Sequence, residues 1–223
     1  MASFAALRDA LDVRFRTASP AAFVQPEGTV LATGVASVDR ALAGGFPKGA
    51  ISTLEGPPSS GRSALAARVL AVATRGGGAA ALVESHSSGF IFPPSLEEAG
   101  VALGRLAIVR VRSPLDVIRA TDIVLRSGAF KAIVIPIVSF RATAWSRLAS
   151  LVHRAGTVLL AVGYTAPAEL RYAAALRATC ALRRIDWTGA PGPFRALAGY
   201  ELDVRVDKHK RANPNGAARI AVR

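Results

Sequence analysis

The feature that most constrains this chain is the order of its apolar runs. From Thr29 to Tyr164, runs of strand length alternate with runs of helical composition. Ile51–Leu54, Ala79–Val83, Leu106–Val111, Ala132–Val138 and Thr157–Val162 read as strands, and the stretches near Ser63–Thr74, Leu115–Arg126 and Thr143–Arg154 read as helices. Such alternation builds βαβ units, and these build a mostly parallel, twisted sheet with helices on both faces. The expectation is an α/β fold. After Tyr164 the rhythm changes: Thr179–Trp187, Tyr200–Val206 and Ala218–Val222 alternate side chains with period two. They are separated by the turn signals Gly189-Ala190-Pro191-Gly192 and Asn213-Pro214-Asn215-Gly216. These segments predict antiparallel strands extending one edge of the sheet.

Ahead of the alternating region, Ser3–Phe15 places Phe4, Leu7, Leu11 and Phe15 at helical spacing. Thr17–Gly28, with Ser19-Pro20 and Gln25-Pro26-Glu27-Gly28, breaks regular structure. The chain therefore divides into a helix and connector, residues 1–28, and one core domain, residues 29–223. An amphipathic helix needs an apolar surface to cover. Phe4, Leu7 and Leu11 are thus candidates for binding a partner, with docking on the chain's own core the commoner outcome.

Composition narrows the function classes. No apolar run approaches the roughly 18–20 residues of a membrane span, although 51% of the residues are hydrophobic. The N-terminus carries Asp9 early and lacks the basic-then-apolar order of a signal peptide, which predicts a cytoplasmic protein. Cys180 is the single cysteine and the 3 histidines are dispersed, so neither an internal disulfide nor a metal site is expected. A net charge of +13 fits a polyanionic partner such as nucleic acid. Abundant Arg beside abundant Ala is also what a GC-rich genome produces, and both readings stand at this point.

One segment carries specific chemistry. Gly56-Pro57-Pro58-Ser59-Ser60-Gly61-Arg62-Ser63 lies directly between a strand and a helix, with the spacing of a phosphate-binding loop. In such loops the glycines let successive N–H groups turn inward and the helix N-terminus adds its positive dipole end. A Lys reaches the terminal phosphates, and a hydroxyl holds Mg²⁺. Gly56, Ser59, Ser60, Gly61, Arg62 and Ser63 are therefore the candidate nucleotide-binding residues. Arg62 occupies the Lys position, and a planar guanidinium does not reproduce a compact ammonium. The competing reading is a loop kept only as a tight strand-to-helix turn.

Thr33-Gly34-Val35-Ala36-Ser37-Val38-Asp39, Leu42-Ala43-Gly44-Gly45-Phe46-Pro47-Lys48-Gly49 and the phosphate-loop segment resemble, in that order, the opening of the RecA family core. The resemblance continues through Gly100-Val101, Leu125-Arg126-Ser127-Gly128-Ala129 and Ala132–Val138; it covers Thr29–Tyr164 well and the C-terminal part loosely. It implies a RecA-like core. The compact length, the segment Phe92-Pro93-Pro94-Ser95-Leu96 and the altered catalytic positions are most similar to the ImuA group, RecA-like proteins encoded beside an alternative DNA-polymerase module.

Carried over position by position, the resemblance places the family's water-activating Glu at His86, with Glu84 two residues earlier. Its Mg²⁺-linked Asp falls at Pro136 and its polar sensor at Gly163, followed by Tyr164. With Arg62 also changed, the resemblance implies a degraded ATPase site, because positioning and charge stabilisation supply nearly all of this catalysis. No cofactor is expected, although ATP and Mg²⁺ binding without hydrolysis is compatible with the surviving cradle. Turnover would have to survive through Glu84 as a substitute base and Ser63 as a metal ligand.

The same resemblance assigns DNA binding to two loops, here reduced to Ile137–Thr143 and Tyr164–Pro167. Lys208, Lys210 and Arg211 fall where the family places two lysines that reach toward a neighbour's nucleotide, and they are candidates for interface or phosphate contacts; a solvated basic turn is the alternative. The function implied is a non-catalytic adaptor in bacterial SOS repair and translesion mutagenesis. It would contact RecA, a Y-family-like polymerase partner or both, with weak, salt-sensitive DNA contact and no membrane. The alternatives are an ATP-dependent DNA-binding recombinase and a cell-division inhibitor of the same short RecA-like group.

Overall fold

The computed structural model describes residues 4–15, 29–86, 92–189, 195–210 and 216–222. Helix α1 (Phe4–Phe15) precedes a small antiparallel pair, β1 (Val30–Leu31) and β2 (Phe46–Pro47), which flanks α2 (Ala36–Ala41). Asp39 shapes that entry. Its carboxylate accepts from the Thr33 amide at 2.6 Å, the Thr33 hydroxyl at 2.8 Å and the Gly34 amide at 3.2 Å. This accounts for the Thr33-Gly34 to Asp39 segment as a folding motif.

The core is one eight-stranded sheet. Strands β3 (Ala50–Glu55), β4 (Ala79–Ser85), β5 (Leu106–Val111), β6 (Phe130–Pro136) and β7 (Val158–Gly163) are parallel, and β8 (Leu176–Thr188) pairs in parallel with β3. β9 (Ala196–His209) and β10 (Ala217–Val222) follow antiparallel. Across the sheet the order is β10, β9, β8, β3, β7, β6, β4, β5. The expected fold class is therefore the observed one.

Both faces are covered, because alternate residues of each central strand serve opposite cores. Ala132, Val134, Val158 and Leu160 pack with α2, α3 (Arg62–Arg75) and α4 (Pro93–Glu98). Ile133, Ile135, Leu159 and Ala161 pack with α5 (Pro114–Arg126), α6 (Ala142–Ala155) and α7 (Ala168–Ala173). α5 starts with Pro114 and a Ser113 side chain that accepts from the Asp116 amide at 3.2 Å, and α6 stops at Gly156 in the left-handed region.

α1 docks on this second face against α5, with Leu11 buried, Leu7 partly buried and Phe4 at the rim. Two of the three apolar residues read as partner candidates thus face the chain's own core. Among the described residues no helix is long and apolar enough to cross a membrane.

Candidate functional site

The phosphate-loop segment leaves the sheet at its centre. Between β3 and α3, Gly56, Ser59 and Gly61 all take positive φ, at 150°, 62° and 82°. The close approach of neighbours explains the glycines: a Cβ at Gly56 would lie 2.3 Å from the Cys180 carbonyl oxygen, and one at Gly61 would lie 2.1 Å from a Leu202 methyl. The Gly56 amide donates to the carbonyls of Gly163 and Tyr164, each at 3.1 Å, which ties the loop to the end of β7. The Ser60 Oγ is buried and has no hydrogen-bond partner. Arg62 turns back across the loop, and its guanidinium donates to the Gly56 carbonyl.

Two further groups fix the loop's footing, and neither is evident from sequence. Glu55, the residue before the loop, is buried and accepts from Thr53 Oγ1 at 2.9 Å, the Ala166 amide at 2.8 Å and Arg177 Nε at 3.1 Å. It ties β3 to the β7–α7 connection and to β8. Cys180 lies beside the loop in β8, where burial pushes its thiol up to about 12 against a lowering pull from Arg62.

The ends of the parallel strands enclose a cavity of about 340 Å³ lined by Arg62, Ser63, Glu84, Pro136 and Gly163. The structure thus brings together all five of these positions, each singled out from the sequence. His86 is exposed beyond β4 and is not among the lining residues.

Glu84 is the lining carboxylate, and Arg110 holds it at 3.0 Å with only 2% of the Glu84 side chain exposed. The pairing follows from register, since Glu84 and Arg110 are directly opposed across β4 and β5. Pro136 offers no side-chain oxygen. At Gly163 a side chain has no room, because a Cβ there would lie 2.8 Å from Ile137 Cβ. For Mg²⁺ the lining offers the Ser63 hydroxyl and a carboxylate already bound by Arg110, a poor set for a cation that demands several oxygens. For a phosphate group the α3 N-terminus and Arg62 are the suitable elements, since the Gly56 and Ser60 amides already donate to the carbonyls of Gly163, Tyr164 and Pro57. No group of three or more potential metal-ligating side chains occurs among the described residues.

The family's two loop positions are short, with β6 ending at Pro136 before α6 begins at Ala142 and β7 ending at Gly163 before α7 begins at Ala168. Lys208 donates to the carbonyls of Arg171 at 2.8 Å and Tyr172 at 3.2 Å, so its ammonium caps the end of α7. Desolvation, with Lys210 and Arg177 nearby, lowers its pKa. Lys210 lies 5.9 Å from the centroid of the Tyr172 ring. Lys208 belongs to β9 rather than to a solvated turn, and Arg211 lies outside the described residues.

A parallel sheet with a glycine-bearing phosphate loop at its centre and an antiparallel C-terminal extension defines a RecA-type fold. The RecA N-terminal domain family matches residues 23–144, and the chain belongs to the RecA family. It is 37% identical over 106 residues to Protein RecA of Rubrobacter xylanophilus, a match covering 47% of this chain and 30% of that protein. Against Protein RecA of Chlorobaculum tepidum the identity is 35% over 107 residues, covering 48% of this chain and 30% of that protein. The matches thus span less than a third of the length of these curated relatives. Among solved structures, the RadB recombinase superposes with a TM-score of 0.65 at 17% identity, over 85% of this chain and 94% of that one, a likeness of fold.

Proposed function

We propose that this protein works without ATP turnover, as a RecA-fold adaptor in bacterial DNA repair of the kind the ImuA group represents, contacting RecA or a polymerase-like partner. One observation carries the reading: among the described residues the cavity beside Arg62 is lined by one carboxylate, Glu84, and Arg110 already binds it. A general base must reach the attacking water, for which Glu84, 2% exposed and paired through Oε2 with Arg110, is badly placed, and phosphoryl transfer depends on positioned metal and charge. Pro136 and the closed position at Gly163 leave no replacement among the lining residues.

A nucleotide held without hydrolysis is compatible with the loop. DNA contact would rest on Arg–phosphate attraction and weaken steeply with salt. The ATP-dependent recombinase reading is favoured by the RadB likeness over most of the chain. Phosphate release by the pure protein, with and without single-stranded DNA, decides between them. The adaptor reading expects no release above a Ser63→Ala, Arg62→Ala double variant. Turnover that this double variant abolishes would establish a working ATPase. Pull-downs of RecA and a Y-family-like polymerase at physiological salt test the partners, and retention of neither would remove the adaptor role.

A further inference from the structure

A second groove borders Arg62 on the side away from the strand ends. Beyond the pair Glu55–Thr179, β8 runs on to Thr188 with β9 as its remaining neighbour, so the two strands project past the phosphate loop. Ile185 opposes Tyr200 and Trp187 opposes Leu197, and opposed side chains in an antiparallel pair share a face. The opposite face carries the charges: Arg184 bonds Asp186 and Glu201, and Arg183 bonds Glu201 and Asp203.

One face of the projection therefore satisfies itself, and the other is apolar and open, with Ile185 41%, Trp187 54% and Leu197 57% exposed. Leu182, Ile185, Leu197 and Tyr200 form the wall of a cavity of about 360 Å³ whose floor is residues 59–64, from the phosphate loop and the first turn of α3. Arg62 is the charged residue of that lining, and among the described residues no carboxylate belongs to it. The 14-residue α3 adds its N-terminal amides, and Ser60 belongs to the same floor with its Oγ turned in beside Gly56.

We propose that this groove docks an acidic, apolar peptide segment of a protein partner. Leucine or aromatic side chains would lie on the hairpin wall, and a carboxylate would reach Arg62 and the first amides of α3. The proposal rests on the adaptor reading and gives it a surface. Charge selects the occupant. A cationic segment would meet Arg62 with no acid to balance it. Nucleic acid would need cations along the wall, but Arg183 and Arg184 are held on the far face by ion pairs. A second copy carries the same +13 charge. An anionic segment with bulky apolar anchors matches both wall and floor, and Trp, Tyr and Arg are the residues that most often dominate such contacts.

The test is selection of a phage-displayed random peptide library on the intact chain, followed by titration of the enriched peptides. Trp187, exposed and opposite the wall residue Leu197 at the edge of the groove, reports occupancy, and Trp145 is buried. The expected result is enrichment of Asp or Glu together with Leu or aromatic residues, and a blue shift of Trp187 emission on binding. Leu197→Asp and Arg62→Ala should each weaken binding by about tenfold or more. Leu197 is exposed, so its variant should keep the wild-type melting curve.

Enriched peptides that bind Leu197→Asp as tightly as wild type would be held by general charge attraction, and the proposal would fall. It would also fall if Trp187 responded to oligodeoxythymidylate or ATP and to no selected peptide. RecA or a polymerase-like protein retained equally by the Leu197→Asp variant would overturn the groove while leaving the adaptor reading intact. Peptide binding at the groove with neither protein retained would do the reverse.

Discussion

Replacing Glu55 by Ala removes the anchor beneath the phosphate loop, and the structure sets the cost. The carboxylate accepts three hydrogen bonds, from Thr53, Ala166 and Arg177, at 2.8–3.1 Å. Without it the Ala166 amide loses its acceptor, and a buried unsatisfied donor costs about 1–3 kcal/mol. Arg177 also loses its counter-charge, and breaking a buried pair from one side costs about 3–5 kcal/mol. The two figures overlap, because both describe desolvated groups left without the same partner. Arg177 keeps 20% of its side chain exposed, so water screens part of its loss and the lower end applies, about 3 kcal/mol in all.

Glu55→Gln retains an amide oxygen that can accept from Ala166 and should lose about half as much. A double replacement, Glu55→Gln with Arg177→Met, should lose less than the sum of its single variants, since no unpaired charge is left. Urea unfolding followed by the emission of Trp145, 1% exposed, measures the wild type and every variant. If Glu55→Ala and Arg177→Ala each cost under about 0.5 kcal/mol, the pair behaves as an exposed one and the reasoning is wrong.

Two other outcomes follow from the same region. Gly56→Ala places a Cβ 2.3 Å from a backbone oxygen at φ 150°, whereas Gly77→Ala, at φ 75°, meets nothing within 4 Å. Thermal melts should show the first costing about 3 kcal/mol and the second about 1 kcal/mol, and equal losses would contradict the packing argument. For Cys180, the folded thiol holds its proton up to about 12 against an ordinary value of 9.0. The unfolded chain therefore ionises first, and stability present below pH 9.0 should decline as pH rises toward 12, by up to about 1.4 kcal/mol per pH unit. Cys180→Ala should remove that part of the slope, and rapid alkylation of the native protein near pH 8 would contradict the burial.

Legibility from sequence followed the range of the interaction. The central strands were readable because full burial on both faces requires uninterrupted apolar runs, as in Ile133–Val134–Ile135. Their observed ends lie within a residue or two of expectation. Short elements were not readable: α2 and α4 are 6 residues each, too short to show a period. Nor was the anchor beneath the loop. Glu55 and Arg177 are 122 residues apart, and one sequence carries nothing that links them. The hint available was chemical, an acid closing an apolar strand where only a partner would permit it. Glu84 was visible as a carboxylate near the site, but its capture by Arg110 depends on the β4–β5 register, which composition does not encode.

The sheet order also has a consequence for how this molecule is made. β3 emerges early from the ribosome, yet its two neighbours are β7 and β8, so the strand that carries the phosphate loop waits for most of the chain before it gains either. Closing such distant contacts is entropically expensive and tends to come late in folding. Until β8 and β9 are in place, Arg177 cannot meet Glu55, Leu202 cannot cover Gly61, and the Cys180 carbonyl cannot crowd Gly56. A nascent chain halted before β8 would thus display a loop of the right sequence and the wrong shape. Arrival of the C-terminal strands is the step that makes the loop and its neighbouring groove a single recognisable surface.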